Sequence, residues 1–173
     1  MAKLLFIITF LTGTCFSGYC QENNSFYPLT SGTGKNFSYY NTPLRLYYSG
    51  PVEKNKKLYI KESRKYKSGG ISDTLLRVSN DTVYVYSESQ NREMPFFGIR
   101  PVKGEKIGYG KIIKTNANLK TPSAKYTNLL QVKITIPANE IWNRGIEYTL
   151  YLQKGIGLVA IERYGRLDEY LIE

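Results

Sequence analysis

The sequence predicts an all-β protein, mainly antiparallel, built as a single curved or partly closed sheet (half-barrel or barrel-like) with little helix. Three observations carry that expectation. Residues 146–172 read as three consecutive strands separated by turns that contain glycine. Leu130 to Ile136 and Ile146 to Leu152 alternate with period two, and successive residues of a strand point to opposite faces. No stretch sustains a helical repeat over three turns, and turn signals recur about every 8–12 residues, the spacing of antiparallel sheets.

The chain opens differently. Met1-Ala2-Lys3 is a positive start, Leu4 to Leu11 is apolar, and Gly18 and Cys20 supply small residues before Gln21. This pattern predicts a signal peptide at 1–20, cleaved between Cys20 and Gln21, followed by one antiparallel β domain at 21–173. An uncleaved anchor is the alternative, but the apolar run is shorter than the roughly 18–20 residues a span requires. A lipid anchor needs a small residue before its cysteine, whereas Thr14 precedes Cys15 and Tyr19 precedes Cys20. The expectation is an exported protein, periplasmic or extracellular, with no stable membrane span after processing.

The elements follow in order. Gln21 to Ser25 is polar; Phe26-Tyr27-Pro28-Leu29 begins the domain and Ser31 to Gly34 forms a turn. Phe37 and Tyr39, then Leu44, Leu46 and Tyr48, alternate on either side of Pro43, which interrupts or edges that strand. Ser49-Gly50-Pro51 is expected to end it. Leu58 to Tyr66 is a strand and Lys67 to Gly70 a turn. Thr74 to Ser79 and Thr82 to Glu88 form the clearest hairpin, because Asn80 and Asp81 tolerate the left-handed backbone of a two-residue turn. Met94 to Ile99 lies between prolines and is short or irregular. Tyr109 to Lys114 is extended. Asn116 to Ser123 reads as a loop, or Thr121-Pro122 starts a short helix through Asn128. Pro137 to Arg144 connects to the closing strands. In the first of these, Ile146, Tyr148, Leu150 and Leu152 should be buried while Glu147, Thr149 and Tyr151 face outward.

The composition excludes several chemistries. The chain has no histidine, and both cysteines precede Gln21. That removes histidine-based triads, thiolate zinc sites and imidazole ligation. The expectation is a non-enzymatic protein with no cofactor and no metal. Two carboxylate pairs, Asp168 with Glu169 and Glu140 with Glu147, read as surface charge. Gly155-Ile156-Gly157 lies between strands and reads as a turn, not a phosphate loop. A net charge of +10 favours anionic partners. The densest run, Lys54 to Lys67, alternates with Leu58, Ile60 and Tyr66 as a solvated strand face would. Sixteen tyrosines are the compositional anomaly. Tyr39, Tyr48, Tyr84 and Tyr86, with Trp142, are candidates for ligand binding, since their rings could stack on a sugar or an apolar group. The plainer reading is that tyrosine suits a strand with one wet end. Export makes nucleic acid the poorest partner. Asp73-Thr74-Leu75 and Asp81-Thr82-Val83 match an Asp-Thr-aliphatic signal that some bacteria O-glycosylate, and threonine at a strand start explains them equally.

Several short motifs resemble a group of uncharacterised secreted β-rich proteins of Gram-negative bacteria. They are Tyr27-Pro28-Leu29, Gly34 to Tyr39, Pro101-Val102-Lys103-Gly104, Thr121-Pro122 leading into Leu130-Gln131-Val132, and the closing Tyr151 to Val159 with its Gly155-Ile156-Gly157-Leu158-Val159. Phe37 stands where that pattern usually has tryptophan. The resemblance implies a curved sheet similar to that of envelope lipoprotein carriers, with an apolar face that some members use to hold a ligand. Together these readings predict an exported envelope protein that shelters an apolar or amphipathic, lipid-like ligand. The alternative is a cationic, tyrosine-rich module for acidic glycan or a partner protein of the envelope.

Overall fold

The computed structural model describes residues 25–138 and 145–172. The predicted signal segment, the Cys20–Gln21 junction, Trp142 and Glu140 lie outside the described residues. Twelve strands make one antiparallel sheet: β1 Gly34–Tyr39, β2 Thr42–Lys54, β3 Lys57–Tyr66, β4 Ile71–Ser79, β5 Thr82–Ser87, β6 Arg92–Gly98, β7 Lys106–Ile107, β8 Gly110–Lys120, β9 Lys125–Ile136, β10 Ile146–Gln153, β11 Gly157–Arg163 and β12 Arg166–Ile172. Strands adjacent in sequence pair with each other, except β6 and β7, which form the two edges, and β1 pairs with β12, giving the order β6-β5-β4-β3-β2-β1-β12-β11-β10-β9-β8-β7. The sheet curls until its two edges nearly meet, so the expected all-β, barrel-like class is what the chain adopts. Tyr109 N–H donates to Phe96 O across that seam at 2.9 Å.

Glycine permits the close approach. A Cβ on Gly110 would overlap the Phe97 side chain, and one on Gly108 would overlap the Pro95 carbonyl. Gly110→Val is therefore expected to force the edges apart and destabilise by roughly 1–3 kcal/mol, the range for overpacking. Thermal unfolding measures this, and an unchanged midpoint would mean that the seam is not packed.

The inner face is the core. Leu44, Leu46, Leu76, Val83, Phe97, Ile112, Val132, Ile134, Leu150 and Leu152 are buried there. Period-two alternation turns them inward, strand after strand. Residues 25–33 close one end of the barrel. Gly155 N–H donates to Ser25 O at 2.8 Å, and Gly32 N–H to Tyr48 O at 2.9 Å. Tyr27 and Leu29 thereby enter the interior, with the Tyr27 ring edge-on to Phe97 at 5.5 Å.

Three expectations are corrected. β2 does not end at Gly50; it runs on to Lys54 across a register shift between Ser49 and Val52. Pro51 sits inside that bulge, where a missing N–H leaves no gap in the ladder. The loop expected at 116–123 shrinks to a turn at residues 121–124 and the alternative helix does not form, because β8 reaches Lys120 and β9 starts at Lys125. Three register shifts bend this hairpin, and Ser123 Oγ donates to Leu171 O at 2.6 Å, fixing its tip against the last strand. The bend makes a second, outer core of Ala117, Tyr126, Leu129, Tyr151, Val159 and Ala160. Tyr151 thus points outward as its parity requires, but is buried beneath the hairpin. The turns expected at Asn80-Asp81, Gly155 to Gly157 and Tyr164-Gly165 are present, with positive φ at all of these residues except Ile156.

Candidate functional site

A cavity of about 500 Å³ lies inside the barrel, with Tyr27 of the 25–33 segment in its lining. Its walls come from strands on both sides of the seam. Met94 and Phe96 of β6, Tyr109, Ile136 of β9 and Ile146 and Tyr148 of β10 present apolar surface, while Tyr27, Phe97, Leu150 and Leu158 also line it. These residues share a face with the core, so what separates cavity from core is how completely side chains fill the space.

Glu62, Arg64 and Arg163 put charge into this lining. Arg64 lies opposite Leu46, and Glu62 lies opposite Tyr48. Both therefore point inward with the apolar set. Arg64 Nε donates to Glu62 Oε1 at 3.2 Å and Nη1 to Glu169 Oε2 at 2.7 Å. The second oxygen of Glu62 accepts from the Tyr27 hydroxyl at 2.8 Å. Arg163 stands 3.3 Å from Asp168 and 3.9 Å from Glu169, with its guanidinium over the Tyr148 ring at 5.6 Å. Acid and base alternate along this chain of contacts, so each buried charge has an opposite neighbour. Burial alone would lower the Arg64 pKa, but Glu62 and Glu169 together raise it above its ordinary value. Burial raises the Tyr27 and Tyr48 phenols well above theirs, with Glu62 adding to the effect. Burial likewise pushes Tyr148 up to about 12. At neutral pH the interior therefore holds fixed charges on Arg64 and Arg163 and neutral phenols.

Asp168 and Glu169 do face opposite ways, yet each is only 2% exposed. The surface-charge reading of that pair is thereby corrected: both carboxylates are buried and held by arginines. Glu147 is exposed and pairs with Lys133 at 2.7 Å. Within the basic run, Lys65 and Lys67 are exposed as expected and Arg64 is not.

The structure distributes the candidate tyrosines over both faces. Tyr39 is inward and half-buried, its ring edge-on to Tyr66 at 5.4 Å. Tyr48 is inward and buried, with Lys35 Nζ 6.0 Å from its ring centre. Neither lines the cavity. Tyr84 and Tyr86 lie on the outside with Tyr59, Arg77 and Glu93. There Arg77 donates to both Glu93 oxygens at 2.8 and 2.7 Å, and the Tyr59 hydroxyl donates at 2.8 Å. Arg77 also covers the Tyr84 ring at 5.0 Å, and Tyr86 packs edge-on to Tyr59 at 5.5 Å. These rings are occupied by their own neighbours.

The hydrogen bonds from Arg77, with those from Tyr59 and Lys57, hold the Glu93 carboxyl down to about 2. A carboxylate depressed in the fold adds stability that is complete above its unfolded pKa, about 4.3, and lost as pH falls through about 2. Acid unfolding of Glu93→Gln should therefore be less steep than that of the native protein over this window. Parallel curves would sink the assignment.

The residues that sequence reasoning missed carried a signal. Glu62 and Arg64 share parity with Ile60 and Tyr66, and Glu169 shares parity with Leu171. Charge was read as exposure, and parity was the better guide. Among the described residues no group of three or more potential acidic, histidine or cysteine ligands could hold a metal ion, and no helix is long and apolar enough to cross a membrane. Comparison with protein families, with curated proteins and with solved structures finds no match.

Proposed function

We propose that this is an exported, non-enzymatic protein of the bacterial envelope whose barrel shelters an apolar or amphipathic small ligand. The single observation that carries the reading is the interior cavity of about 500 Å³, walled by Met94, Phe96, Tyr109, Ile136, Ile146 and Tyr148. Small-molecule sites span about 300–1,000 Å³ and combine apolar walls with a few placed polar groups. Glu62, Arg64 and Arg163 are such groups here. A hydrocarbon body would lie against the walls, with a polar end toward the arginines. The carboxylate in the lining, Glu62, is engaged by Arg64.

Native mass spectrometry after gentle purification should find a co-purifying lipid-like mass. Fatty-acid affinity should also tighten with chain length by up to about 0.8 kcal/mol per buried methylene. Met94→Trp, which narrows the cavity, should weaken that binding without changing the far-ultraviolet circular dichroism. Absence of a bound mass together with no chain-length dependence would overturn the reading.

A further inference from the structure

On the opposite side of the sheet from the cavity, five strands bring one row of outward residues into register. Asn36 of β1 lies between Ile172 of β12 and Arg45 of β2; Arg45 faces Lys65 of β3, and Lys65 faces Ile71 of β4. Two like charges directly opposite each other on adjacent strands repel. Arg45 and Lys65 are nonetheless both exposed, and among the described residues neither has a carboxylate partner, in contrast to Lys61, which stands 3.6 Å from Asp73. Lys67, just past the end of β3, is likewise exposed and has no carboxylate partner among the described residues. The row also ends in exposed apolar groups, Ile71 at 59% and Ile172 at 39%.

The surface is concave here. Two adjoining hollows of about 500 and 420 Å³ share Arg45 and Lys65. Tyr47 borders the first, and Lys67 and Ile172 border the second. Among the described residues neither hollow has an acidic side chain in its lining. Unpaired cations at strand spacing, an accessible ring and aliphatic groups at the ends suit an extended chain bearing anions along an otherwise carbon-rich backbone. An acidic polysaccharide has that character: its carboxylates fit the cations, and its sugar faces fit tyrosine and isoleucine. A flat anionic membrane matches the charge but not the concavity.

We propose that this trough across β12, β1, β2, β3 and β4 binds an acidic polysaccharide, with Arg45, Lys65 and Lys67 contacting its carboxylates. The site is independent of the interior cavity and stands or falls without it. The test is calorimetric titration of the protein with oligogalacturonate, with dextran as the uncharged control and phosphatidylglycerol vesicles as the membrane control. Oligogalacturonate should bind and dextran should not. Affinity should fall steeply between about 50 and about 200 mM salt, since exposed charges are screened within roughly 8–10 Å. Arg45→Ser with Lys65→Ser should weaken it by about tenfold, as the loss of two exposed ion pairs predicts. The same double variant removes a repulsive pair, so its melting point should be equal to or above that of the native protein. Lys111→Ser with Lys106→Ser, a cross-strand pair elsewhere on the sheet, should leave affinity within about twofold, well under the effect of the first pair. Equal weakening by both double variants would reduce the effect to net charge and overturn the site. Binding to vesicles but not to oligogalacturonate would overturn the polysaccharide in favour of a membrane. No binding to either would overturn the proposal outright.

Discussion

Arg64→Met is expected to destabilise the protein by roughly 3–5 kcal/mol, the cost of breaking a buried ion pair from one side. The reason is what remains behind. Glu62 and Glu169, 5% and 2% exposed, both accept a hydrogen bond from the Arg64 guanidinium and pair with its charge. Methionine fills similar volume but leaves two inward carboxylates without their counter-charge. Arg163 cannot replace it, since it stands 3.9 Å from Glu169 and is engaged with Asp168. Adding Glu62→Gln and Glu169→Gln to the arginine variant removes the uncompensated charges and should recover at least half of the loss. Urea titration of the native, single and triple variants reads both effects. A single variant as stable as the native protein would mean that the network is solvated rather than buried. A triple variant no better than the single one would place the cost in packing rather than charge.

The same network marks where the sequence was legible and where it was not. Strand alternation in Leu130 to Ile136 and Ile146 to Leu152, and the asparagine, aspartate and glycine turns, are local properties, so the sheet could be read from them. The Asn80-Asp81 hairpin is a clear case: both residues have positive φ in a two-residue turn. Charge placement is not local. Glu62 and Arg64 pair along β3, but Glu169 reaches Arg64 from β12, separated from β3 in the sheet by β2 and β1, and the curvature of the sheet brings them together. A lone arginine in a basic run carries no sign of that partner. The outer core is hidden for a similar reason. Nothing in Tyr151 or Val159 alone says that a distant hairpin will bend over them, and the bend depends on three register shifts spread along β8. The tyrosines are a different case. Their frequency made Tyr39, Tyr48, Tyr84 and Tyr86 ligand-binding candidates, and the fold divides them, with Tyr39 and Tyr48 inside and Tyr84 and Tyr86 against neighbours outside.

Leu129→Ala and Leu130→Ala should each cost roughly 2–5 kcal/mol, the range for a buried leucine truncated to alanine. In a strand with one buried face, adjacent residues cannot both be costly, since one of them must point to solvent. Here both are 0% exposed. Leu130 belongs to the inner core with Val132 and Ile134, and Leu129 belongs to the outer core with Ala117, Tyr126 and Tyr151. The register of β8 against β9 shifts beside them: Lys114 lies opposite Gln131, and Ala117 lies opposite Leu129. That shift turns the distal half of the hairpin back over the sheet, so the strand is covered on both sides at this point and on one side beyond it. Lys133→Ala, on the uncovered part, should therefore lose only about 0.5 kcal/mol. Equilibrium denaturation of the three variants tests the arrangement. If Leu129→Ala were as mild as Lys133→Ala, the hairpin tip would not be packed against β10 and β11, and the outer core would have to be abandoned. If both leucine variants are severe, their losses should also add. The two side chains point into separate cores that share Leu171 as a packing neighbour, so any departure from additivity reads the coupling through that residue and the common backbone.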